Sequence, residues 1–245
     1  MKRRGIILAG LLCAGVALAS EKPNVLFIAI DDLRNFVNCF GYDQVLTPNI
    51  DRLAERSTIF TNAHNQAPMC GPSRSSVMTG IMPYNSGAYG FVDWRHVPLL
   101  KSATTLNRHF LDSGYDTRIG GKIYHGNTAR SADLSPNGGM YSKAQHTHGT
   151  WGERAVPSED RALSTYWGFR KTNVPSDAPE EQFNDTITAD LAIAQLQDLG
   201  QAGALGGDKD APWFLAVGFT KPHLAWTAPR AYFEMYDGVR GPLAT

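Results

Sequence analysis

The sequence predicts an α/β protein built on a mostly parallel central sheet. Two stretches carry that reading. Asn24-Val-Leu-Phe-Ile-Ala-Ile30 and Trp213-Phe-Leu-Ala-Val-Gly-Phe219 are unbroken apolar runs, as expected for strands buried on both faces, whereas a one-sided antiparallel strand would alternate. The third observation is what separates them. Segments with helix starts and stops alternate with another short strand pattern, Tyr115–Ile119, as in a chain that winds helices over a sheet.

The chain opens on Lys2, Arg3 and Arg4, followed by a short apolar run from Gly5 to Leu18 and small residues in Ala17-Leu-Ala19. Residues 1–19 therefore read as a signal peptide, and the expected location is exported, periplasmic or secreted. The run is too short for a stable membrane span, and Leu12 before Cys13 argues against lipoprotein processing. Beyond it only Cys39 and Cys70 remain, too few for a disulfide framework. Lys and Arg total 23 and so do Asp and Glu, which gives no footing for nucleic acid or a polybasic membrane surface. The remaining ~225 residues suffice for one large domain.

The first strand run ends in Asp31-Asp32. Ligand sites of open α/β sheets form beyond the carboxyl ends of strands, and two adjacent carboxylates there suit a hard cation, Ca²⁺ or alternatively Mg²⁺. A solvated turn would look the same from position alone. Thr47-Pro48 reads as a helix start, with Ile50, Leu53 and Ala54 directed at the sheet. A strand-like run, Thr58–Thr61, precedes Ala67-Pro-Met-Cys-Gly-Pro-Ser-Arg-Ser-Ser-Val-Met-Thr-Gly80. Pro72 fits the first turn of a helix and Gly80 its end. Cys70 then sits at a helix N-terminus that favours an anion, with the planar cation of Arg74 one turn on. A buried cysteine at an ordinary helix start is the plain alternative.

Further along, Thr104 to Ser113 reads as a helix stopped by Gly114, and Tyr115–Ile119 as the strand after it, leading to Gly-Gly-Lys122 and His125. From Gly126 to Asp177 periodicity is lost, as in a long excursion over a site rim. His146, His148 and Trp151 are placed there as lining residues of a substrate entrance. Asp185 caps a helix running to Leu199. The strand ending at Phe219 delivers Thr220-Lys-Pro-His-Leu-Ala-Trp226.

The run Cys70-x-Pro-Ser-Arg-x-x-x-Met-Thr-Gly80 resembles the signature of the type I, formylglycine-dependent sulfatases. Gly114-Tyr-Asp-Thr-Arg-Ile-Gly-Gly-Lys-Ile-Tyr-His125 is similar to their second signature, and the Lys221-Pro-His223 run resembles the iduronate-2-sulfatase-like branch. Ala225-Trp226 departs from the Pro and aromatic that often follow in that branch. The resemblance implies an alkaline-phosphatase-like α/β sandwich and hydrolysis of sulfate esters on sugars or polysaccharides such as glycosaminoglycans. It implies that a formylglycine-generating enzyme converts Cys70 to formylglycine, the nucleophile, and that Asp31, Asp32 and residue 70 bind the divalent metal. By the same resemblance Arg74, Lys122 and Lys221 hold the sulfate, His125 serves the nucleophile and His223 protonates the leaving oxygen.

The family's metal site takes further ligands from later in the chain. Residues 22–245 are therefore expected to be the N-terminal portion of a sulfatase catalytic domain, incomplete as given. The alternative from another class is a catalytically incomplete fragment or remnant that at most binds sulfated glycans. A phosphate-ester hydrolase on the same scaffold is disfavoured, because such enzymes place Ser or Thr where Cys70 stands.

Overall fold

The computed structural model describes residues 22–125, 173–201, 212–224 and 226–238. The signal peptide expected at 1–19, and His146, His148 and Trp151, lie outside the described residues.

Both apolar runs are strands. β1 (Val25–Ile30), β2 (Asp116–Gly121) and, much later, Trp213–Phe219 form a parallel sheet with the late strand between the other two. Ile30 pairs with Phe219 and Gly121 with Gly218, so all three strands end at one edge. Between β1 and β2 run α1 (Pro48–Ala54), α2 (Cys70–Thr79), α3 (Pro83–Ser86), α4 (Pro98–Ser102) and α5 (Leu106–Asp112). A short strand β3 (Asn173–Ser176) and a long helix α6 (Asn184–Gln201) precede the central strand, here β4. β5 (Trp226–Pro229) pairs in parallel with β3, and α7 (Arg230–Glu234) follows.

Alternation along β4 divides the core into two layers. Phe214 and Ala216 face Met78, Trp94, Leu100, Ile119 and Tyr124, on the side of the helices that precede β2. Leu215 and Val217 face Ala192 of α6, with Leu191, Leu196 and Leu199 around it. Each fully buried side chain of this size contributes roughly 1.5–3 kcal/mol, and burial on both faces explains why β4 has no polar position. This is the alkaline-phosphatase and sulfatase-like α/β sandwich, with a largely parallel central sheet.

Charge is also buried in β2. Arg118, 1% exposed, pairs with Asp116 at 2.9 Å and with Asp198 of α6 at 2.8 Å, and donates to Gln195 Oε1 at 2.8 Å. Burial pulls the Arg118 pKa down, but its bonds to Asp116 and Asp198 outweigh that and raise it. The cluster fixes the C-terminal half of α6 to the sheet.

Two local expectations fail. α1 buries none of its residues; Leu53 is 52% exposed, so Ile50, Leu53 and Ala54 do not pack on the described sheet. Thr58–Thr61 is not a strand: Phe60 is 74% exposed and the run has no ladder partner among the described residues. Propensity without a neighbour does not make a strand.

Candidate active site

Asp31 leaves the end of β1 and is buried. Its backbone N–H donates to Phe219 O at 3.1 Å, which continues the ladder by one residue. Its carboxylate meets two cations. Arg74 Nη2 donates to Oδ1 at 2.9 Å, and Lys122 Nζ pairs with Oδ2. Burial pushes the Asp31 carboxyl up, but Arg74 and Lys122 more than offset it and hold it below the usual range. Arg74 also donates to the carbonyls of Lys122 and Ile123, which ties α2 to the segment after β2. Arg74 Nε is buried with no hydrogen-bond partner among the described residues.

Asp32 differs from its neighbour. Its side chain is 58% exposed, and its φ of 57° lies in the left-handed region, which costs a non-glycine residue about 1–2 kcal/mol. The strain turns the chain sharply and leaves two consecutive carboxylates on one side of the site. Asp31 Oδ2 and Asp32 Oδ2 both stand 3.9 Å from His223 Nε2.

Cys70 is the first residue of α2, which ends at Gly80 with φ 70°. Burial pushes the Cys70 thiol up and Asp31 adds to it, against the opposing pull of Lys122, the Gly71 N–H and Arg74. The direction is opposite to that of an activated nucleophilic cysteine, whose pKa is lowered. A Cβ on Gly71, beside Cys70, would lie 2.8 Å from the ring of Phe91, which would have to shift. That ring stacks on His125, with centroids 4.4 Å apart and planes 21° from parallel.

Lys122 is placed by close backbone approach. Its N–H donates to Gly218 O at 2.7 Å, and a Cβ on Gly218 would stand 2.2 Å from the Lys122 carbonyl. Gly121, at φ 67°, is equally closed to a side chain. Past β4, His223 N–H donates to Thr220 O at 2.9 Å, and the His223 Nδ1–H donates to Leu224 O at 2.8 Å. A carbonyl only accepts, so Nδ1 carries the proton and Nε2 faces the carboxylates. Burial, with Lys122 adding, brings Lys221 down to about 8 against the opposing pull of Asp185.

The structure thus brings Asp31, Cys70, Arg74, Lys122 and His223 to one strand edge. Ligand atoms of Asp31, Cys70 and His223 lie within 4.8 Å of one another. His223 stands in that cluster, and Asp32 borders it. His125 joins through Phe91, and Lys221 through its turn. For a hard divalent cation Asp31 and Asp32 offer carboxylate oxygens at one strand end, although Asp31 also pairs with Arg74 and Lys122, Asp32 is 58% exposed, and the two fill only part of the six to eight oxygens that Ca²⁺ takes. Sequence reasoning missed Phe91, Gly218 and the partner of Asp185. An isolated glycine inside a bulky strand run was a readable signal for Gly218.

A sulfatase family profile matches residues 23–245. The chain belongs to the sulfatase family. A sulfatase of Formosa agariphila is 32% identical over 225 residues, 88% of this chain and 42% of that protein. Human iduronate 2-sulfatase is 30% identical over 258 residues, 95% of this chain and 43% of that protein. The chain spans less than half the length of these curated relatives. Among solved structures, a protein in complex with its substrate D-glucosamine-2-N,6-O-disulfate aligns with a TM-score of 0.62 at 22% identity, over 91% of this chain and 39% of that one. The phosphonate monoester hydrolase of Agrobacterium radiobacter aligns at 0.60 and 22%, over 91% and 45%. These two likenesses bear on the fold. Among the described residues no helix is long and apolar enough to cross a membrane.

Proposed function

We propose that this sulfatase-family chain serves in hydrolysis of sulfate esters on sugars or polysaccharides, in the manner of iduronate-2-sulfatase-like enzymes. The observation that carries the reading is the convergence of Asp31, Cys70 and His223 within 4.8 Å, with Arg74 and Lys122 on Asp31. A hydrated formylglycine at residue 70 would supply the hydroxyl nucleophile, and a divalent cation such as Ca²⁺, which Asp31 and Asp32 would hold, would supply Lewis acidity.

The chain's own residues do the rest. Arg74, Lys122 and Lys221 bind the sulfate oxygens and offset charge as it develops. Arg74 keeps one guanidinium donor, Nε, unspent. His223 Nδ1 is committed to Leu224 O, so the proton for the departing alcohol leaves from Nε2. That requires an imidazolium, and the carboxylates of Asp31 and Asp32 lie at ion-pair distance from it. His125, fixed in plane by Phe91, takes the proton at residue 70 when sulfate is released.

The test separates the two histidines in the full-length enzyme matured with formylglycine. His223→Ala should cost about 10²–10⁴-fold on a sulfated sugar, whose alkoxide is a poor leaving group, and far less on nitrophenyl sulfate. His125→Ala should slow both substrates alike. Equal losses on the two substrates for His223→Ala would refute the acid role.

A further inference from the structure

The turn that carries Lys221 and His223 is not held by its own strand. β4 ends at Phe219, and the next two backbone N–H groups go to a single side chain. Asp185 Oδ1 accepts from Thr220 N–H at 2.9 Å; Oδ2 accepts from Thr220 N–H at 3.1 Å and from Lys221 N–H at 2.7 Å. Asp185 stands in the first turn of α6, where a carboxylate ordinarily caps its own helix. Here it reaches across to a segment 35 residues later in the chain.

Thr220 is the junction. Its N–H is fixed by Asp185, and its carbonyl accepts from His223 N–H at 2.9 Å. The N–H of the peptide that carries this carbonyl is that of Lys221, which donates to Asp185 Oδ2 at 2.7 Å, so the peptide that Asp185 orients is the one that closes the turn on His223. The last link is the imidazole, whose Nδ1–H donates to Leu224 O at 2.8 Å and leaves Nε2 facing Asp31 and Asp32. At the other end of α6 the buried Arg118 cluster holds the helix to β2, so Asp185 stands on a fixed base. Bonds from backbone N–H to an ionised carboxylate are roughly twice as strong as neutral ones.

We propose that Asp185 is the positioning residue of this site: through the Thr220–Lys221 peptide it holds His223 in one tautomer with Nε2 turned to the reacting edge. Its catalytic consequence rests on the acid role proposed above for His223; its structural consequence does not.

Two measurements keep these apart. The first is ¹⁵N NMR of the histidine-labelled protein, with His223→Gln identifying the His223 signals. At a pH high enough for the ring to be neutral, the wild-type protein should show a protonated Nδ1 and a lone-pair Nε2. In Asp185→Ala the two nitrogens should move toward an averaged pair of shifts. Where that variant does not fold, Asp185→Asn, of nearly the same shape, carries the same test, because it loses the charge and presents an N–H to at least one of the donors. Unchanged His223 shifts in a folded Asp185 variant would overturn the proposal.

The second measurement is kcat/KM in the matured full-length enzyme on a sulfated sugar and on nitrophenyl sulfate. Misplacing His223 should cost about 10²-fold on the sugar and less than tenfold on the aryl sulfate. A role confined to stability would lower both equally and would count against positioning. If His223→Ala itself shows no leaving-group dependence, the acid reading fails, and the NMR result still decides the role of Asp185.

Discussion

Gly218→Ala is a one-methyl perturbation that reaches the site through the backbone alone. The added Cβ would stand 2.2 Å from the Lys122 carbonyl carbon and oxygen and 2.7 Å from Ile123 N. None of these atoms belongs to a side chain that can rotate away. Restoring ordinary contact takes a displacement of roughly 1 Å between β4 and the segment after β2. That movement breaks the bond from Lys122 N–H to Gly218 O, now 2.7 Å. A lost buried hydrogen bond costs about 1 kcal/mol and overpacking about 1–3 kcal/mol, so the loss should be about 2–4 kcal/mol. Such a loss lowers Tm by roughly 4–16 °C in a domain of this size. The same displacement carries Lys122 away from Asp31, and about 1 Å of misplacement can cost 10²-fold in kcat/KM. Gly90→Ala is the control, because no atom lies within 4 Å of its Cβ. Urea unfolding of both variants and hydrolysis of nitrophenyl sulfate by the matured full-length enzyme make the comparison. If the two variants unfold within about 0.5 kcal/mol of each other, the steric reasoning is wrong.

Arg118→Met should destabilise the protein by about 3–5 kcal/mol, because Asp116 and Asp198 would be left buried without their cation; a loss under 1 kcal/mol in urea unfolding would contradict this. Asp31→Asn leaves Arg74 and Lys122 facing a neutral group and should be destabilising at neutral pH. The Asp31 pKa is lowered on folding, so its contribution is fully present above the unfolded value near pH 3.9 and is lost as pH falls through the folded value. The stability gap between wild type and Asp31→Asn should therefore narrow in acid, and a gap independent of pH between 7 and roughly 2 would exclude this ion-pair account. Residue 70 should be an aldehyde in protein made alongside a formylglycine-generating enzyme, as read by mass spectrometry of its tryptic peptide; thiol throughout would remove the proposed nucleophile.

The parts legible in the sequence were those whose cause is local. Continuous apolar runs marked β1 and β4, and Pro72 with Gly80 bracketed α2 to within a residue or two. Asp31, Cys70 and His223 were chosen from separate motifs, and the fold brings them together. What escaped was relational. Asp185 has a good helix-start pattern, and nothing near it in the chain shows that its carboxylate serves Thr220 and Lys221. Ile50 and Leu53 repeat as a buried helix face would, but a period does not say what covers that face. Arg118 sits in a strand otherwise destined for the core, and its tolerance there depends on Asp198, which is 80 residues away.

The place of β4 between β1 and β2 has a consequence for timing. The middle strand is the last of the three to be synthesised, so β1 and β2 do not find this common partner until residue 219 has been made. Roughly 150 residues separate Cys70 from that point, about 7–30 s of translation at ordinary rates of 5–20 residues per second. Throughout that interval the strand edge on which Cys70 will sit does not exist, and its segment stays open to any enzyme that must reach it. The order of strands in the sheet sets the interval within which the proposed conversion of residue 70 would have to occur if it is to precede closure of the site.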